Sequence, residues 1–105
     1  MTRLIVARAA RGDLDGILEY LEREAGRGTA LAYAERFADA LRRVIEFPGH
    51  ARRRPALGAD TRAAIVYPYL LIYDYDAVVD TATLLRVLHG KRDITRLIIK
   101  DPRRD

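Results

Sequence analysis

The stretch TRAAIVYPYLLIYDYDAVVDTATLLRVLH, residues 61–89, decides the fold. It holds three runs of aliphatic, β-branched and aromatic residues, the composition that fits a pleated, half-buried surface. Thr61–Pro68 and Tyr69–Tyr75 are split by Pro68, which cannot donate to a sheet ladder and marks a turn or bulge. Asp76–Asp80 links them to the third run, Thr81–His89. Side chains alternate along a strand, so Thr83, Leu85, Val87 and His89 are expected on one face of that run. Leu84, Arg86 and Leu88 are then expected on the other. Three runs with short links read as an antiparallel meander.

Upstream, the period changes. Leu14, Ile17, Leu18 and Leu21 fall at i, i+3, i+4 and i+7, the spacing of one helix face, within a helix expected from about Ala9 to Glu24. Asp13 and Asp15 are expected in its early turns, where negative charge suits the dipole. Gly26 and Gly28 end it, and Thr29 is a candidate N-cap for a second helix. That helix carries the stripe Ala30, Tyr33, Phe37, Leu41, Val44 and Ile45 and stops at Pro48-Gly49. Residues 48–61, with three consecutive arginines and no period, read as a long loop. Arg3–Ala7 reads as a short strand. KRDITRLIIKD after Gly90 reads as a short terminal helix, with Asp93 near its start and Ile94, Leu97 and Ile98 on its apolar side. The order is β-α-α-β-β-β. It predicts one α+β domain over residues 1–105, a small twisted antiparallel-type sheet with a helical hairpin on one face and a possible short C-terminal helix. The other face, carrying Arg86 by alternation, is expected to lie open to a partner except where the last helix covers it.

Composition excludes several chemistries. In 105 residues there is no cysteine and no serine, so thiolate and serine nucleophiles and Cys-based zinc sites are absent. With His50 and His89 as the two imidazoles, no metal site and no cofactor is expected. No apolar run reaches the roughly 18–20 residues of a membrane span, and MTRLIVARAARGD lacks the apolar core of a secretory signal. A cytoplasmic protein without a membrane partner is expected. The formal net charge is +4, with acids concentrated in the N-terminal half and basic clusters in HARRRP and HGKR. That layout suits an anionic partner, or solubility alone.

The candidate functional residues are accordingly basic. His89 admits two readings, a general base near neutral pH or a brace at a strand end. Lys91 and Arg92 either clamp an anion or form a solvated exit from the strand. Arg52, Arg53 and Arg54 either grip a partner or lie in a solvated loop. Tyr67, Tyr69, Tyr73 and Tyr75 serve as core residues with hydroxyls at the surface, or as stacking platforms.

Five stretches in order carry a resemblance: GDLDGILEYL (12–21); the spacing of Ala30, Tyr33, Phe37 and Leu41 ahead of FPG (47–49); RRRPALG (52–58) followed by Arg62; VYPYLLIYDYD (66–76); and LLRVLHGKRDI (84–94). Together they resemble the RelE/ParE superfamily, the toxins of bacterial type II toxin–antitoxin systems. The resemblance implies the architecture above and neutralisation by a small antitoxin that wraps the toxin. RelE-like members cut messenger RNA on the ribosome, whereas ParE-like members poison DNA gyrase. The RelE pattern has two basic residues one apart on the strand after the loop; Arg62 fits, but Ala64 holds the second place. It has an arginine directly after the tyrosine opening the next strand, where Leu70 follows Tyr69. Gly90, Lys91 and Arg92 match its Gly-Lys-Arg, but Ile98 stands where it has a tyrosine six residues on.

The resemblance thus implies the ParE-like branch: a growth-inhibiting toxin with DNA gyrase as target. Its cognate antitoxin is expected as a hetero-oligomeric partner, with operator DNA reached only through that antitoxin. Arg52, Arg53, Arg54, Arg62, Arg86, His89, Lys91 and Arg92 are the expected target- or antitoxin-binding residues, with Arg62, Arg86 or Arg92 meeting antitoxin acids. The alternative is a ribosome-dependent endoribonuclease using Arg62, His89 and Arg92. A third reading is a toxin that has lost activity and persists as an antitoxin-bound module.

Overall fold

A computed structural model describes residues 1–100, leaving out the side chains of Leu97 and Lys100. The chain runs β1 (Arg3–Val6), α1 (Arg8–Ala25), α2 (Arg27–Glu46), β2 (Arg52–Arg53), β3 (Thr61–Val66), β4 (Tyr69–Asp76), β5 (Thr81–His89) and α3 (Arg96–Lys100). The α+β order is the one the residue pattern predicts, with a fifth strand added.

The five strands form one sheet in the order β1-β5-β4-β3-β2. β2 to β5 make an antiparallel meander, and β1 closes it by pairing parallel to β5, Arg3–Val6 opposite Thr81–Leu84. The sheet is therefore mixed. β2 corrects the expectation of an unstructured loop over 48–61: Arg52 and Arg53 pair with Ala63 and Arg62.

The helices are joined by one residue. Gly26 has φ +93° and ψ 163°, an essentially glycine-only region that costs a side chain roughly 1–3 kcal/mol, and its N–H caps α1 on the Glu22 carbonyl. α2 starts at Arg27 without a side-chain cap, so Thr29 lies inside the first turn and is not the N-cap. Leu14, Ile17 and Leu18 of α1 and Tyr33, Phe37, Leu41 and Val44 of α2 pack on Ala64, Val66, Tyr69, Leu71, Tyr73, Ala82, Leu84 and Val87. Each fully buried aliphatic there, such as Leu71 or Leu84, contributes roughly 1.5–3 kcal/mol. On the opposite face Leu57, Ile72 and Leu88 form a second cluster, joined by Leu70, Leu85, Ile94, Ile98 and Ile99. α3 and the loop residue Leu57 thus cover part of the face expected to lie open. Leu97, also expected on the apolar side of α3, has a side chain outside the described residues.

One irregularity rearranges the expected faces. Ile72 pairs with Arg86 but Tyr73 pairs with Leu84, so Leu85 is an extra residue in β5. A bulge of this kind shifts the alternation by one. Ala82 and Leu84 therefore face the helices along with Val87, while Leu85 joins the second cluster. The expected grouping of Leu85 with Val87 is corrected by this bulge.

Candidate functional site

β1 covers β5 only as far as Leu84, which among the described residues leaves the next stretch of the β5 edge without a strand partner. Asp13 of α1 fills that place: its carboxylate accepts the Val87 N–H at 2.9 Å. The same carboxylate receives Arg86 in a two-pronged pair, Nε at 2.7 Å and one terminal nitrogen at 2.9 Å. The other terminal nitrogen donates to the Ile98 carbonyl at 2.9 Å. Arg86 is 2 % exposed and ties α1, β5 and α3 together. The expectation that it faces a partner is corrected. Beside the bulge its guanidinium turns inward, because a buried charge requires a paired, hydrogen-bonded partner and Asp13 supplies one.

Arg62 is likewise committed inside the fold. Its guanidinium donates to the Gly49 and Ala51 carbonyls, at 3.1 and 2.8 Å, and braces the turn after α2. Tyr73 holds the same turn by donating to the Pro48 carbonyl at 2.6 Å. Burial pushes the Tyr73 phenol up, with the Arg62 charge opposing the shift. Two hydrogen bonds to backbone carbonyls give Arg62 a structural task.

β5 ends in a tight turn. The Gly90 N–H donates to the Pro68 carbonyl at 2.7 Å and the Arg92 N–H to the His89 carbonyl at 3.0 Å. His89 Nδ1 accepts the Lys91 N–H at 3.1 Å, and the ring stands edge-on to Tyr69 at 5.6 Å. The imidazole does brace the strand end. Tyr69 joins an aromatic cluster with Tyr33 and Phe37, and burial, then the neighbouring Tyr33 and Tyr20 phenols, raise its pKa. Beside this turn lies a cleft of roughly 430 Å³ whose walls include Gly12, Gly16, Tyr20, Tyr69, His89 and Arg92. Gly12, Gly16 and Tyr20 were not singled out from sequence, although their i, i+4, i+8 spacing places them on one helix face. Lys91 and Arg92 are exposed.

Arg52 and Arg53 are exposed on edge strand β2, with Arg54 half-buried beyond them, its N–H on the Thr61 carbonyl. The basic residues are therefore not gathered. Arg62 and His89 lie opposite Tyr73 and Tyr69 of β4, on the strands to either side of it. Four residues along a strand and two strand spacings separate their backbones by roughly 16 Å. Ala64, at the expected second basic position, is buried in the helix-side core. Among the described residues no group of three metal-ligating side chains converges, and no helix is long and apolar enough to cross a membrane. Tyr69 and Tyr73 are core residues, whereas Tyr67 is 75 % exposed.

A helical hairpin on a five-stranded mixed sheet, with a basic turn ending the last long strand, defines a small α+β fold. The model of the family described as the ParE toxin of the type II toxin–antitoxin system parDE matches residues 4–94, and the chain belongs to that family. The fold is similar to a chain of the chromosomal ParDE system from P. aeruginosa, with a TM-score of 0.71 at 18 % identity, covering 87 % of this chain and 98 % of that one. A chain of the toxin–antitoxin complex RelBE2 from Mycobacterium tuberculosis gives a TM-score of 0.49 at 27 % identity, covering 84 % of this chain and 96 % of that one. A comparison with curated protein sequences returns no match.

Proposed function

We propose that this toxin arrests growth by binding DNA gyrase as a protein ligand, without cutting nucleic acid, and that a cognate antitoxin holds it inactive in a hetero-oligomer. The observation that carries the reading is the dispersal of the groups an RNA-cleaving site requires. Arg62 is bonded to Gly49 and Ala51 and lies roughly 16 Å from His89. Ala64 is in the core, and Ile98 offers no hydroxyl. General acid–base chemistry requires its groups within hydrogen-bond reach of one reacting centre. The partner surface is then the exposed basic set Arg52, Arg53, Lys91 and Arg92, with Arg54 and His89 at its margins. Arg62 and Arg86 serve the fold. Operator DNA is reached through the antitoxin, and the toxin acts in the cytoplasm, where gyrase works.

Purified toxin added to gyrase supercoiling reactions tests this reading. Inhibited supercoiling or accumulated gyrase–DNA cleavage complexes are expected, with intact messages in primer-extension mapping on translating ribosomes. Message cleavage that disappears in His89→Ala or Arg92→Ala, with supercoiling untouched, overturns it.

A further inference from the structure

The cleft beside the HGKR turn, roughly 430 Å³, is within the size range of small-molecule sites. Gly12 and Gly16 of α1 line it, one helical turn and roughly 6 Å apart. A glycine inside a helix weakens it relative to alanine. Packing requires neither of them: among the described residues, a Cβ at Gly12 or Gly16 would meet nothing within 4 Å. The helix thus carries two unfavourable residues whose effect is a strip of bare peptide backbone in the cleft.

The other walls are aromatic and basic. Tyr20 follows one turn after Gly16, and Tyr69 and His89, edge-on to each other at 5.6 Å, line the cleft as well. His89 Nδ1 accepts the Lys91 N–H, so the ring proton lies on Nε2, which is a donor. Arg92 adds a cation. The one acid among the described lining residues, Asp13, is committed to Arg86 and the Val87 N–H. Flat peptide and aromatic surfaces beside a guanidinium and an N–H donor suit a planar ring that bears an anion. An aromatic side chain of a polypeptide brings the ring without the charge. The cleft is also separate from the RNA-cleaving pattern: of Arg62, Ala64, Leu70, Arg92 and Ile98, only Arg92 lines it.

We propose that this cleft binds a free mononucleotide. The base lies on the Gly12–Gly16 backbone among the aromatic rings, and the phosphate meets Arg92 and the His89 Nε2–H. The proposal goes beyond the target reading and does not rest on it.

The probe is adenosine monophosphate, titrated into the isotope-labelled full chain with amide and His89 ring signals followed by NMR. Saturable shifts at Gly12, Gly16, His89 and Arg92 are expected, with adenosine, which lacks the phosphate, binding at least about tenfold more weakly. Gly16→Leu fills the floor with a better helix former. It should raise the melting temperature while weakening binding at least about tenfold, so the lost binding is not lost folding. Arg92→Gln should weaken the monophosphate and leave adenosine unaffected. Four results overturn the proposal: no saturable shift at these residues, binding unchanged in both variants, an oligoadenylate that binds more tightly than the monophosphate at the same signals, or an acetylated Asp-Trp-Asp peptide that does so. None of these outcomes bears on supercoiling inhibition, so the two readings fail separately.

Discussion

Replacing Asp13 by alanine should be among the most damaging single changes outside the aliphatic core. The substitution removes both acceptors of the Arg86 pair, at 2.7 and 2.9 Å, and the acceptor of the Val87 N–H at 2.9 Å. Breaking a buried ion pair from one side costs roughly 3–5 kcal/mol, because the remaining charge stays desolvated. The Asp13 side chain is 16 % exposed and the Arg86 side chain 2 %, so some water reaches the gap and the lower end, about 3 kcal/mol, is expected. Total stability for a domain of this size is about 5–15 kcal/mol, so the loss is a large share of the whole. With a urea slope of about 1–3 kcal/mol/M, the unfolding midpoint should fall by roughly 1–3 M at an unchanged slope. Arg86→Met should cost less, since Asp13 keeps the Val87 amide. The Asp13→Ala/Arg86→Met double variant should recover part of the sum, with a coupling of at least about 1.5 kcal/mol. An Asp13→Ala loss under about 1 kcal/mol, or strictly additive variants, refutes the assignment of Arg86 as a buried clamp.

Three further outcomes follow from the geometry. Gly26→Ala places a Cβ at φ +93° and should lower stability by roughly 1–3 kcal/mol in a thermal melt, although nothing lies within 4 Å to clash. Gly90→Val puts its Cβ 3.1 Å from the Pro68 carbonyl; it should displace the HGKR turn, seen as shifted Tyr69 and His89 ring resonances with the α1–α2 packing intact. The Asp80 carboxyl is held below the usual carboxylate range by hydrogen bonds from the Thr2 and Tyr75 hydroxyls. A lowered folded pKa stabilises above the unfolded value, about 3.9, and the gain is lost as pH falls through the folded value. The melting gap between wild type and Asp80→Asn should therefore hold from about pH 5 to 8 and begin to narrow only below about pH 4. A gap that closes well above about pH 4 contradicts the assignment.

The helical hairpin and the meander were legible because each rests on repeated spacing. Leu14, Ile17 and Leu18, or Tyr33, Phe37 and Leu41, announce a buried helix face several times over. β2 was not legible, since two exposed arginines have no alternation to detect; pairing with Ala63 and Arg62 makes them a strand. The bulge was hidden for a related reason. LLRVL reads as alternation in either phase, and only the pairing of Ile72 and Tyr73 with Arg86 and Leu84 reveals the extra residue. From the candidate site, the HGKR turn was readable, including the bracing option for His89. The Asp13–Arg86 pair was not, because its partners are 73 residues apart and neither position has a distinctive local context.

The Arg86 pair links the fold to the functional reading. Arg86 pairs with Ile72 of the second cluster, on the face opposite the helices, where a groove cation would stand. Asp13 and the Ile98 carbonyl take its guanidinium there, and its charge becomes internal. Arg62, the other cation expected in that groove, is held by the turn after α2. Two charges that sequence alone assigns to a site are thus part of the scaffold. What remains exposed lies at the sheet's margins, on β2 and at the end of β5. The exposed members of the expected set are thus spread from the β2 edge to the cleft beside the end of β5, and no single reacting centre gathers them.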